Sequence, residues 1–160
     1  ITHNRQNVEL HVIGQGRSPR RWQKQAEALH LDNVMWHGWV ERSEALKIMN
    51  QCHVFCITSV TDLTSTVLLE ALSFGMPVVT LDLFGFSNVV TDECGIKISV
   101  QSKPQVVQDL AAAIDKIAED NPLRMRMAQA ALRRAQDFTW GGKAKQISEL
   151  YTNAVISHKR

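Results

Sequence analysis

The residues best suited to chemistry fall in one stretch, Ser59-Val-Thr-Asp62-Leu-Thr64-Ser65-Thr66-Val-Leu-Leu-Glu70-Ala-Leu-Ser-Phe-Gly75-Met-Pro77-Val-Val79, which reads as a strand end, a polar loop, a helix and the next strand. Thr64, Ser65 and Thr66 bring hydroxyls and free backbone N–H groups to the helix N-terminus, where the helix dipole favours an anion such as a diphosphate. Asp62 precedes that site, and Glu70 lies about one and a half turns into the helix. The two carboxylates can flank a bound nucleoside diphosphate. As acceptor-only groups they suit vicinal hydroxyls of a ribose and a sugar, which makes Asp62 and Glu70 the candidate catalytic pair.

Glu70 also poses a packing problem. Val67, Leu68, Leu69, Ala71, Leu72 and Phe74 leave this helix no solvated face, so the carboxylate is expected to be partly buried and to need a hydrogen-bonding partner. A capping box does not supply one, because with Thr64 to Thr66 as caps position 70 lies beyond the third helical residue. A ligand or a side chain from elsewhere in the fold remains.

A second candidate is the turn after the first strand, Val12-Ile13-Gly14-Gln15-Gly16, where glycines let the backbone approach a phosphate or a sugar. A tight turn with no ligand explains those glycines equally well. A dinucleotide fingerprint would add a third glycine at position 19, which is Pro19, and an acid at the end of the second strand, where His37-Gly38 stands. A nicotinamide cofactor is not expected, nor any other cofactor.

The remaining reactive residues carry less. The six histidines show no ligand spacing, and the three cysteines, odd in number and widely set, suit reduced thiols in a cytoplasm. Cys52 and Cys56 read as buried small hydrophobes rather than metal ligands. Trp22, Trp36, Trp39 and Trp140 read as core or rim, and no nucleic-acid-binding motif is present.

Positioning such a site takes a sheet. Strand-like runs at Val8–Ile13, Asn33–His37, His53–Ile57, Pro77–Leu81 and Gly95–Ile98 alternate with helical stretches at about 19–30, 42–51 and 65–75 and a short turn near 86–91. This alternation predicts an α/β fold with a doubly wound, Rossmann-like parallel sheet. Three helices follow: one capped by Ser102 with Gln105 as capping-box partner, one opened by Asn121 as cap with Pro122 at its first position, and one after Trp140. The last has Ile147, Leu150, Tyr151, Ala154 and Val155 at helical spacing and needs something to pack on.

With 160 residues, 44% apolar and 21% charged, the chain suits one domain, 1–160, with its own core. No apolar stretch reaches the roughly 18 residues that span a bilayer, and the polar start carries no signal-peptide pattern. The net charge of +2 is unevenly spread, with eight Lys/Arg against Asp137 and Glu149 from residue 121 onward. That reads as a solvated face of two helices, or as a surface for anionic lipid or a phosphate-bearing ligand.

The stretch Asp62-x7-Glu70, followed by Ala71-Leu-Ser-Phe-Gly75-Met-Pro77-Val-Val79, resembles the Glu-x7-Glu signature of the glycosyl transferases group 1 family, retaining enzymes of the two-domain GT-B type. The resemblance extends to Val12-Ile13-Gly14-x-Gly16, Asn33-Val34-x-x-x-Gly38, His53-Val54-Phe55-x-x-x-Ser59, the loop with Gly85, Gly95-Ile96 and Phe138-Thr139-Trp140. It implies that Glu70 holds the ribose hydroxyls and that Asp62, one methylene shorter than the family's usual Glu, faces the transferred sugar and its phosphate. Thr64 and Ser65, with Thr66 beside them, would contact the donor phosphates. Gly14 and Gly16 would line the site, and Trp36, His37, Gly38 and Trp39 would border the base.

The same resemblance implies a hexosyltransferase-type enzyme of polysaccharide biosynthesis that transfers a sugar from a nucleotide-diphosphate sugar to a glycan or lipid-linked acceptor, without a metal. This chain would be the donor-binding, C-terminal half. An N-terminal acceptor domain, and an Arg and a Lys for the diphosphate ahead of the first strand, would lie outside it, and the final helix would reach toward that partner domain. Alone, the chain is expected to fold, bind nucleotide weakly and transfer nothing. The implied location is the cytoplasm, with peripheral contact at the inner face of the membrane left open. Two alternatives stand: a nucleotide-sugar epimerase of the same fold, and a non-catalytic flavodoxin- or receiver-like module, which would place acids where Gly14-Gln15-Gly16 stands.

Overall fold

The protein is described here from a computed structural model covering residues 8–16, 19–61 and 65–158. The expected alternation is present: β1 (Leu10–Ile13), α1 (Pro19–Ala28), β2 (Val34–Gly38), α2 (Arg42–Gln51), β3 (Phe55–Ile57), α3 (Thr66–Ser73), β4 (Val78–Leu81), α4 (Phe84–Val89) and β5 (Gly95–Ile98). Three helices complete the chain, α5 (Lys103–Glu119), α6 (Asn121–Gln136) and α7 (Trp140–His158).

Every strand pairing is parallel, as helical crossovers require. The hydrogen-bonded ladder is nevertheless split in two, with β1 paired to β2 and β3 to β4 to β5. Packing bridges the gap: Ile13 at the end of β1 joins Met49 of α2, Ala71 of α3 and Met76 in one apolar cluster.

β4 is the central strand, buried along its whole length, and its alternating side chains meet two different helical layers. Val78 packs with Leu68 and Leu72 of α3, Phe86 of α4 and Ala130 and Ala131 of α6. On the opposite face Val79 and Leu81 pack with Ile98 of β5 and with Ala113 and Ile117 of α5. Helices on both faces of a parallel sheet make the fold doubly wound and Rossmann-like.

Helix termini follow local chemistry. Ser102 caps α5 by accepting from the Gln105 amide at 3.3 Å, while Gln105 Oε1 accepts from the Ser102 amide at 3.4 Å, the reciprocal box expected there. At α6 the expected cap, Asn121, is displaced by its neighbour: Asp120 caps the helix, its carboxylate accepting from the Leu123 amide at 2.8 Å. Pro122 at the second helical position has no N–H to offer, so the cap bond goes to the third, Leu123, while Asn121 Oδ1 accepts from Arg124 Nη2 at 2.7 Å. α3 ends at Gly75, whose φ of +68° closes a Schellman motif with Gly75 N–H donating to Leu72 and Met76 N–H to Ala71, each at 3.0 Å.

α7 exposes Ile147, Leu150, Tyr151 and Val155, and Trp140 at its start is 93% exposed and so part of neither core nor rim. Among the described residues no helix is long and apolar enough to cross a membrane.

Candidate functional site

In a parallel sheet all strand ends, and the starts of the helices that follow them, share one edge. Here that edge carries the turn after β1 and the entry to α3. Gly14, at φ +116°, donates its N–H to the Gly38 carbonyl at 2.7 Å and so ties the ends of β1 and β2 together. A side chain would be strained at that φ. Beside the turn lies a cleft of 170 Å³ lined by Gly14, Gln15 and Gly16 together with Trp22, Gln23, Trp36 and Gly38. The two exposed or half-exposed indoles give it flat apolar walls, and the turn gives it backbone polar groups.

Of the residues expected to border a base, Trp36 and Gly38 meet at this cleft, and His37 and Trp39 are not in its lining. The reason lies in the register. Val12 faces Trp36 and Ile13 faces Gly38, so His37 is the extra residue of a bulge. Its ring stacks on His11, with centroids 5.2 Å apart and His11 Nδ1 3.0 Å from His37 Nε2. Trp39 is an exposed side chain beyond the strand end.

The other expected part of the site, the start of α3, is not in the lining of this cleft. Ser65 is the N-cap of α3, half-buried and extended, and its side chain makes no cap bond. Thr66 is exposed at the first helical position. Donors of the first turn are therefore not taken up by the cap hydroxyl. Asp62 and Thr64 lie outside the described residues.

Glu70 is one-quarter exposed and has a protein partner that the sequence did not reveal. Arg42, the first residue of α2, donates to Glu70 Oε1 from both Nε at 3.1 Å and Nη2 at 2.5 Å. Both bonds fall on one oxygen. Among the described residues Oε2 accepts nothing. The signal for Arg42 was a cation in the first turn of a helix, where the dipole disfavours it.

The cysteines divide. Cys52 is half-buried, donates to the Ile48 carbonyl at 3.3 Å, and has its pKa raised by burial and then by the negative charge of Glu9. Cys56, expected to be buried, keeps exposed surface because Phe55 and Ile57 take the β3 face that packs on the core, yet its thiol is desolvated enough by burial for its pKa to rise to about 11. Among the described residues no three His, Cys, Asp or Glu side chains gather as a metal site would require.

The doubly wound α/β unit matches one Rossmann-like half of the GT-B glycosyltransferases. The chain belongs to the glycosyl transferases group 1 family, whose sequence profile matches residues 1–134. Among its relatives, a D-inositol 3-phosphate glycosyltransferase of Corynebacterium aurimucosum is 29% identical over 113 residues, which are 70% of this chain and 26% of that protein. The lipopolysaccharide glucosyltransferase WaaG of Escherichia coli is also 29% identical, over 79% of this chain and 33% of that protein, and a crystal structure of WaaG superposes with a TM-score of 0.72 over 84% of this chain and 35% of that chain. Anabaena HepE, solved in complex with UDP-glucose, has a TM-score of 0.75 at 23% identity, covering 93% of this chain and 42% of HepE. The chain thus spans less than half the length of each.

Proposed function

We propose that this chain is the donor-binding domain of a retaining glycosyltransferase, which takes a nucleotide-diphosphate sugar and passes the sugar to a glycan or lipid-linked acceptor held by an N-terminal domain. The observation that carries the reading is Glu70, a carboxylate set into an apolar helix whose cap hydroxyl makes no cap bond, with one oxygen that accepts nothing among the described residues. Relatives named glycosyltransferases, together with a structural neighbour, HepE, solved with UDP-glucose, support the donor class.

In this scheme Glu70 accepts from the ribose hydroxyls and Asp62 from the sugar. Ser65, Thr64 and Thr66 with the α3 N-terminus stabilise the diphosphate as it departs, an electrostatic task that requires no metal. Gly14, Gly16 and Trp36 form the wall against which the nucleotide lies. Closure of the two domains excludes water and aligns the acceptor, so the donor domain alone transfers nothing. A cytoplasmic location, with peripheral contact to the inner face of the membrane through the basic C-terminal quarter, belongs to the same proposal.

Calorimetry on the natural full-length protein tests the assignment. Glu70→Ala is expected to weaken nucleoside diphosphate binding about tenfold or more, whereas Asp62→Ala changes it by about threefold at most, because the ribose is common to donor and product and the sugar is not. Equal losses, or none for a folded Glu70→Ala protein, sink the assignment. Product analysis checks the reaction: free nucleotide with an elongated acceptor marks a transferase, an isomerised nucleotide sugar an epimerase.

A further inference from the structure

The Arg42–Glu70 contact joins residues 28 positions apart on α2 and α3, at the carboxylate on which the donor site depends. As a stabiliser of the fold it is poorly placed. The Arg42 side chain is 74% exposed, and ion pairs of that kind contribute little. Its position at the first residue of α2 also sets a cation against the positive end of the helix dipole.

Its geometry suits another task. An Arg paired for strength engages both carboxylate oxygens in parallel, one nitrogen to each. Here Nε and Nη2 converge on Oε1. That arrangement fixes the direction of the carboxylate while leaving Oε2, with its lone pairs, to accept from a ligand hydroxyl. Among the described residues the polar side chains of α3 on the Glu70 face, Thr66 and Ser73, do not bond its carboxylate; Ser73 Oγ donates instead to the Glu70 backbone carbonyl at 2.7 Å, and Leu68, Ala71 and Leu72 are buried apolar residues.

We infer that Arg42 is a positioning residue for nucleotide recognition: it holds Glu70 in the one orientation in which Oε2 meets the ribose, and so sets the site's preference for a ribonucleotide. The inference rests on the donor-site reading of Glu70.

The test is a double-mutant cycle on the natural full-length protein, using UDP, GDP and ADP as probes and carrying forward the tightest of the three with its 2′,3′-dideoxy analogue. Wild-type protein is expected to prefer the ribonucleotide about tenfold. Arg42→Ala should cut ribonucleotide affinity about fivefold and leave the dideoxy analogue unchanged, so that the preference collapses. In a Glu70→Ala background the same substitution should change neither. Arg42→Lys, which keeps the charge but loses the two-donor fork, should recover only part of the preference.

Equal weakening of both ligands by Arg42→Ala would mean that the guanidinium meets the diphosphate itself, and a lowered melting temperature with unchanged affinities would mean a purely structural pair; either overturns the inference. Unaltered ribonucleotide affinity in Glu70→Ala, or no binding of any of the three probes to the wild type, overturns the donor-site reading beneath it. A loss in Glu70→Ala without any effect of Arg42→Ala overturns the role of Arg42 alone.

Discussion

A Cβ added at Gly95 would lie 2.6 Å from Val90 Cγ1 and overlap the Val78 carbonyl oxygen, which sits in the neighbouring strand. A side chain can shift aside, but a carbonyl fixed in a parallel ladder cannot do so without opening the pairing of β4 with β5. Gly95→Ala is therefore expected to cost about 3 kcal/mol, the upper range for overpacking. Urea unfolding should show a lower midpoint at unchanged slope, and a shift near zero would mean that β5 is less tightly seated than it looks. At this scale the sequence was half informative. The apolar surroundings of Glu70 announced that the carboxylate needed a partner; that the partner is Arg42 depends on how α2 packs beside α3, which no local pattern encodes.

Helix ends carry the same lesson one level up. Like α3, α1 terminates in a Schellman motif, with His30 N–H donating to Glu27 and Leu31 N–H to Ala26, each at 3.0 Å, but its left-handed residue is His30 at φ +52°. His30 is exposed, so little packing is lost on its removal. His30→Gly should stabilise the protein by about 1 kcal/mol, and Gly75→Ala should destabilise it by at least about as much, because the new Cβ would also crowd Leu132 Cγ at 3.2 Å. Paired thermal melts check both signs; a His30→Gly protein that melts lower contradicts the cap assignment.

The strands and helices were legible because β-branched runs and 3.6-residue periods are local, and each observed strand lies within two residues of its expected limits. The cap of α6 was not, since choosing Asp120 over Asn121 turns on which carboxylate or amide reaches past Pro122.

Which strand lies beside which is a property of the whole molecule, and there the sequence is silent. Periodicity predicts five strands without saying that the ladder breaks between β1 and β3. The cleft beside Gly14 is legible only in part for the same reason: Trp22 and Gln23 reach it from α1, and the bulge at β2 turns His37 away toward His11.

That break has a consequence for how the molecule opens. Among the described residues the pair β1–β2 shares no strand ladder with β3–β4–β5, and they are coupled by side chains: Ile13 in the apolar cluster with Met49, Ala71 and Met76, and the Arg42–Glu70 pair between α2 and α3. Two groups of amides should then trade their protons for deuterons by separate routes: the β1–β2 group through a partial opening that leaves the other sheet intact, the buried β4 group only on global unfolding. Residue-resolved exchange is expected to give β4 protection factors at least about tenfold above those of β1, a gap of about 1.4 kcal/mol in opening free energy. A saturating nucleoside diphosphate bound between the β1 turn and α3 would tie the two units together and bring their exchange rates toward one another, so a ligand would be visible as the loss of a difference.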